Sequence, residues 1–292
     1  MPESGRMRDS IACRALSVAF VTLAITFTGC ATLDPDVNAD ALAARGGLQR
    51  QIVDTHRFAL TTFSRVSRPD KPLRIYIEGD GLAWLSRTEP SRNPTPRHAE
   101  GLALAAEDAA PNVVYLARPC QFTPMAGDPS CAIPYWTGKR FAPEVVESMN
   151  EAVSHFAAMA RGQAVELVGY SGGGAIAVLI AAQRRDVASI RTVAGNLDDE
   201  YVNQLHGVSP MPQSQNAIDF ARDVASIPQV HFSGAEDTIV PPSVAKRFVA
   251  ATGATCAQAL TVPVGSHEDG WTERWPALLD IAPVCGDMAS GH

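Results

Sequence analysis

The sequence has no block or stripe of lysine and arginine, and its formal charge is −7, so it lacks the electrostatic footprint of a nucleic-acid partner. It has no Cys/His spacing of the kind that holds zinc, haem or an iron–sulfur cluster, and neither a metal nor a cofactor is expected. No internal repeat or long linker interrupts the chain from about residue 49 to Cys285, which argues for a single domain. With these classes set aside, 46% hydrophobic and 19% charged residues describe an ordinary packed core. The mild acidic balance reads as solubility.

The N-terminus has a different character. Arg6, Arg8 and Arg14 lead into the almost wholly apolar stretch Ala15–Thr28. As a helix this stretch would span about 21 Å. That is short of the roughly 30 Å of bilayer hydrocarbon but suits the apolar region of an export signal. Residues 1–29 are therefore read as a signal peptide. Phe27-Thr28-Gly29-Cys30 resembles the lipobox of bacterial lipoproteins, with Phe27 where an aliphatic residue is usual. The resemblance implies membrane anchoring through a lipidated Cys30. Ala31 after it implies an outer-membrane lipoprotein facing the periplasm, with plain secretion as the alternative. Residues 30–48, rich in Ala, Asp and Gly, are expected as a tether, 49–286 as the folded domain and 287–292 as a tail. Four cysteines remain, Cys120, Cys131, Cys256 and Cys285, which permit three pairings in an oxidising compartment. Nearest-neighbour pairing gives Cys120–Cys131 and Cys256–Cys285.

Short apolar runs alternate with helical segments. The expected strands are Phe58–Val66, Leu73–Ile77, Asn112–Leu116, Val165–Val168, Ile190–Ala194, Gln229–Phe232 and Ala259–Val264. The expected helices are Ala99–Ala109, Pro143–Ala160, Gly173–Arg184, Pro242–Ala251 and Trp271–Leu279. Buried strands alternating with helices imply an α/β architecture, a mostly parallel sheet covered on both faces. Working groups in such sheets gather at the carboxyl ends of the strands.

Val165–Val168 runs into Gly169-Tyr170-Ser171-Gly172-Gly173 and then a helix. In this strand–turn–helix setting Gly-x-Ser-x-Gly exposes a serine hydroxyl, and the Gly172 amide at the helix start faces a developing oxyanion. Ser171 is the candidate nucleophile. A serine needs a base, and the base an orienting acid. His267 lies on the loop between the last strand and the final helix. His231 lies inside a strand, where a structural role is expected, and His206 is the second choice. Glu236, Asp237, Asp198 and Asp199 all follow strands and are candidate acids.

Taken together, these segments resemble the α/β-hydrolase superfamily over about residues 50–285. Glu78-Gly79-Asp80-Gly81, Arg118-Pro119-Cys120 and Tyr170-Ser171-Gly172 are similar to a group of bacterial lipoprotein hydrolases. The resemblance implies the α/β-hydrolase fold with no large lid domain, and the order serine, acid, histidine. The Asp-x-x-Val-Pro stretch from Asp237 resembles the acid turn of this superfamily, so a Ser171–Asp237–His267 triad is expected, with Asp198 as the alternative acid. Many relatives carry His-Gly where Glu78-Gly79 stands here. The amide of Asp80 or Gly81 is then the second oxyanion donor, with the Asp80 side chain expected to point away. Tyr170, Trp84, Tyr135 and Trp136 are candidate pocket walls, the last two in the segment 120–142, with a further wall from 198–220. The function implied is cleavage of a small-molecule carboxylic ester through an acyl-enzyme. A thioesterase or peptidase of the same fold and a catalytically silent envelope lipoprotein are the alternatives.

Overall fold

A computed structural model describes residues 34–125, 128–264 and 266–286. The expected signal peptide with Cys30 and the tail 287–292 lie outside these described residues. Eight strands form one sheet: β1 (Gln49–Asp54), β2 (Ala59–Val66), β3 (Leu73–Ile77), β4 (Asn112–Leu116), β5 (Val165–Tyr170), β6 (Val187–Val193), β7 (Gln229–Gly234) and β8 (Ala257–Val262). Their order is β1-β2-β4-β3-β5-β6-β7-β8. The two pairings that involve β2 are antiparallel and the other five are parallel. All five residues of β4 and all six of β7 are buried, as expected of strands covered on both faces.

Seven α-helices are found among the described residues: α1 (Pro35–Arg45), α2 (Glu100–Ala106), α3 (Pro143–Met159), α4 (Gly172–Ala181), α5 (Asp199–His206), α6 (Pro242–Thr252) and α7 (Trp271–Leu279). On α3, Val145, Val146, Met149, Ala152, Val153 and Phe156 recur at helical spacing and form the buried face. They pack with α4, α6 and one face of the sheet. The other face, including Tyr115, Val168 and Phe232, is covered by α1, α2 and α7 through Ala39, Leu102, Trp271 and Trp275. Every residue of α4 is buried, which accounts for its Gly, Ala, Ile and Val composition.

The expected tether needs correction. Residues 35–45 form a helix capped by the Asp34 side chain, which accepts from the Asp36 N–H at 2.9 Å. Ala39 and Ala43 are fully packed beneath it. The folded domain therefore begins by residue 35 rather than 49. The next segment, Gln49–Asp54, is an edge strand whose mostly polar residues hid it from a search for apolar runs. Both disulfides, Cys120–Cys131 and Cys256–Cys285, are formed. No insertion among the described residues builds a lid domain. Ser171 follows β5, Asp237 follows β7, His267 follows β8 and the 78–81 loop follows β3, so all four converge at one end of the sheet.

Candidate active site

Ser171 sits where β5 reverses into α4, with φ 49° and ψ −119°. A side-chain-bearing residue held there costs about 1–3 kcal/mol and persists only where its neighbours over-determine it. Three backbone hydrogen bonds do so. Ser171 N donates to the Val193 carbonyl, and the Ser171 carbonyl accepts from Gly174 N and Asn196 N, all at 2.9 Å. The glycines on either side have a steric cause. A Cβ on Gly169 would overlap the Gly173 carbonyl, and one on Gly173 would overlap the carbonyls of Ile77 and Glu78.

His267 Nε2 lies 2.9 Å from Ser171 Oγ, and His267 Nδ1 lies 2.7 Å from Asp237 Oδ2. These partners assign the tautomer: Nδ1–H donates to the carboxylate, leaving Nε2 to accept the serine proton. Asp237 is buried, and its other oxygen accepts the Ile239 and Val240 amides at 2.9 and 2.8 Å. The His267 backbone is held through its carbonyl, which accepts from Trp271 Nε1 at 3.0 Å and Tyr170 Oη at 3.2 Å. A serine, a base within hydrogen-bond reach and an acid orienting that base form an arrangement able to generate a nucleophile.

The other candidates lie elsewhere. Asp198 caps α5 by accepting from Tyr201 N and pairs with Arg247 Nε at 2.8 Å. Asp199 is buried in the first turn of α5 with Oδ1 unpartnered among the described residues. Glu236 is exposed beside the cleft. His231 is buried between Thr192 Oγ1 and Gln229 Oε1, and burial pushes it down to about 3, so it is neutral at physiological pH. His206 Nε2 lies 2.8 Å from the Ile239 carbonyl, on the surface.

Ser171 and His267 open onto a cleft of about 1050 Å³. Tyr170 and Trp84 line it, as does Val202 of α5 from the 198–220 segment. Tyr135 and Trp136 do not. Tyr135 packs edge-on against Phe58, and Trp136 donates through Nε1 to the Ser91 carbonyl, both buried. Those two aromatics belong to the core, and the 120–142 segment reaches the cleft through Arg140 instead.

Asp80 and Gly81 do line the cleft, and a second correction concerns Asp80. Its carboxylate does not point away from the nucleophile but lies against Gly172, where a Cβ would overlap Oδ1. Arg118 Nη1 and Arg140 Nε lie 3.2 Å from its two oxygens. Burial pulls Arg118 down to about 10, still a cation at neutral pH, and two guanidiniums therefore outweigh one carboxylate beside the nucleophile. Glu78 is also buried. It accepts from Gly79 N at 2.9 Å, Gly101 N at 3.2 Å and Tyr115 Oη at 3.0 Å, while burial pushes its carboxyl up. The sequence marked the Glu78 and Arg118 segments without giving either side chain a role. Arg140 carried no signal, since its partner is distant in the chain. Among the described residues no group of three or more His, Cys, Asp or Glu side chains could hold a metal ion.

Comparison with known proteins adds a class to this geometry. The serine hydrolase (FSH1) family matches residues 128–267, a span that includes Ser171, Asp237 and His267. No curated protein sequence matches the chain. Among solved structures, Est1E from Butyrivibrio proteoclasticus is similar with a TM-score of 0.53 at 15% identity, over 79% of this chain and 96% of that one. An alpha-beta serine hydrolase homologue from Coxiella burnetii is similar with a TM-score of 0.52 at 14% identity, over 80% and 94%. The acylaminoacyl peptidase of Pyrococcus horikoshii gives 0.56 at 9% identity, over 84% of this chain and 42% of that one. The structural likenesses give the fold, that of the α/β hydrolases, and the family match adds the serine-hydrolase class.

Proposed function

We propose that the protein cleaves carboxylic esters through an acyl-enzyme, with Ser171 as nucleophile, His267 as base and Asp237 as its orienting acid. One observation carries this: the continuous relay from Asp237 Oδ2 through the His267 ring to Ser171 Oγ, with steps of 2.7 and 2.9 Å. His267 takes the Ser171 proton as Oγ attacks the ester carbonyl. The amide of Gly172 and one from the 79–81 loop receive the tetrahedral oxyanion. As the intermediate collapses, the imidazolium gives its proton to the departing alcohol, and the acyl group stays on Oγ. Water then enters with the same histidine as base, releasing the carboxylic acid and restoring the serine.

Thioester and amide cleavage use the same parts, and fold alone does not choose among them. A panel of short- and long-chain p-nitrophenyl esters, an acyl thioester and an acyl anilide makes the choice. Ester turnover that Ser171→Ala abolishes is the expected result. Turnover of the thioester or anilide alone would replace the ester assignment, and no turnover at all would favour a silent binding protein.

We also propose that the chain works in the bacterial envelope as an outer-membrane lipoprotein anchored at Cys30. Two disulfides in one domain support an oxidising compartment. Cys30→Ser is expected to release the protein from the membrane fraction. Unaltered membrane association would count against lipidation at that residue.

A further inference from the structure

The 79–81 loop offers two backbone amides to an anion beside Ser171, and the surroundings of the loop separate them. Gly79 is held from both sides. Its N–H donates to Glu78 Oε1 at 2.9 Å, and its carbonyl accepts from Gln121 Nε2 at 3.0 Å. No described peptide bond is cis, so the Asp80 N–H points opposite to the Gly79 carbonyl and away from Gln121. Gln121 is 1% exposed and lies behind the loop, whereas Asp80 and Gly81 line the cleft in front of it. Gly81 packs back toward Gln121, where a Cβ would come within 2.6 Å of Nε2. Asp80 thus combines a place in the cleft lining with an amide that points away from Gln121.

The orientation of Gln121 is itself fixed. Its Oε1 accepts from Arg118 N at 3.0 Å, so a flipped amide would set donor against donor and acceptor against acceptor. Its neighbours Cys120 and Phe122 have φ of 72° and 56°, unusual for residues with side chains. Cys120 is tied to Cys131, Phe122 N donates to Thr95 Oγ1 at 2.9 Å, and the Phe122 carbonyl accepts from Thr61 Oγ1 at 3.0 Å. This strained turn delivers one buried amide side chain to one carbonyl, and nothing in the acyl-transfer steps otherwise uses it.

We propose that Gln121 is a positioning residue. By pinning the Gly79 carbonyl it aims the Asp80 amide, together with that of Gly172, at the oxyanion. This rests on the serine-hydrolase reading and deepens it.

Gln121→Met keeps the volume and removes the amide. Its kcat is expected to fall about 10- to 100-fold, less than the loss of an oxyanion donor outright, with KM within about twofold. Comparing each oxo ester with its thiono analogue gives a readout that a merely structural role would not move. A well-aimed amide pair favours oxygen over the larger, weaker-accepting sulfur, so the variant's oxo-to-thiono preference is expected to shrink. Gln121→Glu keeps an acceptor for Arg118 N but sets a carboxylate against the Gly79 carbonyl, whereas a protonated carboxyl can donate to it. Its kcat relative to the unsubstituted protein at the same pH is therefore expected to rise as pH falls. An unchanged kcat, or a lowered kcat with the oxo-to-thiono preference intact, overturns the proposal. If Gln121→Met does not fold, a pH-independent ratio for Gln121→Glu overturns it instead. If the unsubstituted protein neither turns over any ester nor accepts a fluorophosphonate at Ser171, the serine-hydrolase reading fails first and takes this inference with it.

Discussion

Asp237 carries the residue-scale chemistry most simply, because its two oxygens have separate duties. Oδ1 holds the 239–240 turn and Oδ2 holds the imidazole. Asp237→Asn would present an amide N–H, or a weaker acceptor, to Nδ1 and so favour the wrong tautomer. Ester kcat is expected to fall by about 10³- to 10⁴-fold with the fold retained, as steady-state kinetics and circular dichroism would show. A second residue bears on stability. Burial pushes Asp199 up to about 7 against the opposing effect of Arg140, with Glu200 and Asp198 adding to the rise. A carboxyl whose pKa is raised by folding is penalised only when ionised. The penalty is absent below about pH 4, grows as pH rises toward 7, and is constant above that. Asp199→Asn is therefore expected to raise Tm at pH 8 and to match the unsubstituted protein at pH 4. An equal gain at both values would place the cause elsewhere.

Among elements, those with strong apolar periodicity were the ones legible in the chain. The parallel strands and α3, α4, α6 and α7 lie within a few residues of where their patterns put them. What escaped was marginal in composition rather than in structure. α1 buries alanines, which carry little hydrophobic signal, and β1 is an edge strand with a single buried residue, Val53. α5 buries two polar residues, Asp199 and Asn203, and exposes Leu205, with Val202 its one buried large apolar side chain. A charge placed beneath α1 tests whether that helix belongs to the domain. Ala43→Glu is expected to cost about 2 kcal/mol or more by burying an unpaired carboxylate, read as a drop in Tm. An unstructured tether at this position would leave Tm unmoved. At the serine turn, Gly173→Ala would push a methyl group into the Ile77 and Glu78 carbonyls, and loss of both stability and turnover is expected.

For the molecule as a whole, the polar cluster beside the nucleophile shows where a linear reading stops. Asp80, Arg118 and Arg140 come from the ends of different elements, and only the folded sheet brings the two guanidiniums within 3.2 Å of the carboxylate. Local pattern gave a loop of two glycines near an oxyanion. It could not show that an adjoining carboxylate is tolerated because two cations face it. Cys256–Cys285 in turn ties the segment after α7 to the domain across a sequence separation of 29. Loop-closure entropy puts that crosslink at about 3 to 4 kcal/mol. Cys285→Ser is expected to lower the denaturation midpoint accordingly without lowering kcat, since neither cysteine lines the cleft.

The central claim is that one hydroxyl, lifted by the turn after β5, is made nucleophilic by the ring beside it. The most direct measurement is intact-protein mass spectrometry after exposure to a fluorophosphonate, followed by peptide mapping. The account predicts one phosphonyl group per chain, carried on Ser171, formed much more slowly in His267→Ala and not at all in Ser171→Ala. Labelling on another residue, or no adduct on a folded protein, would contradict it.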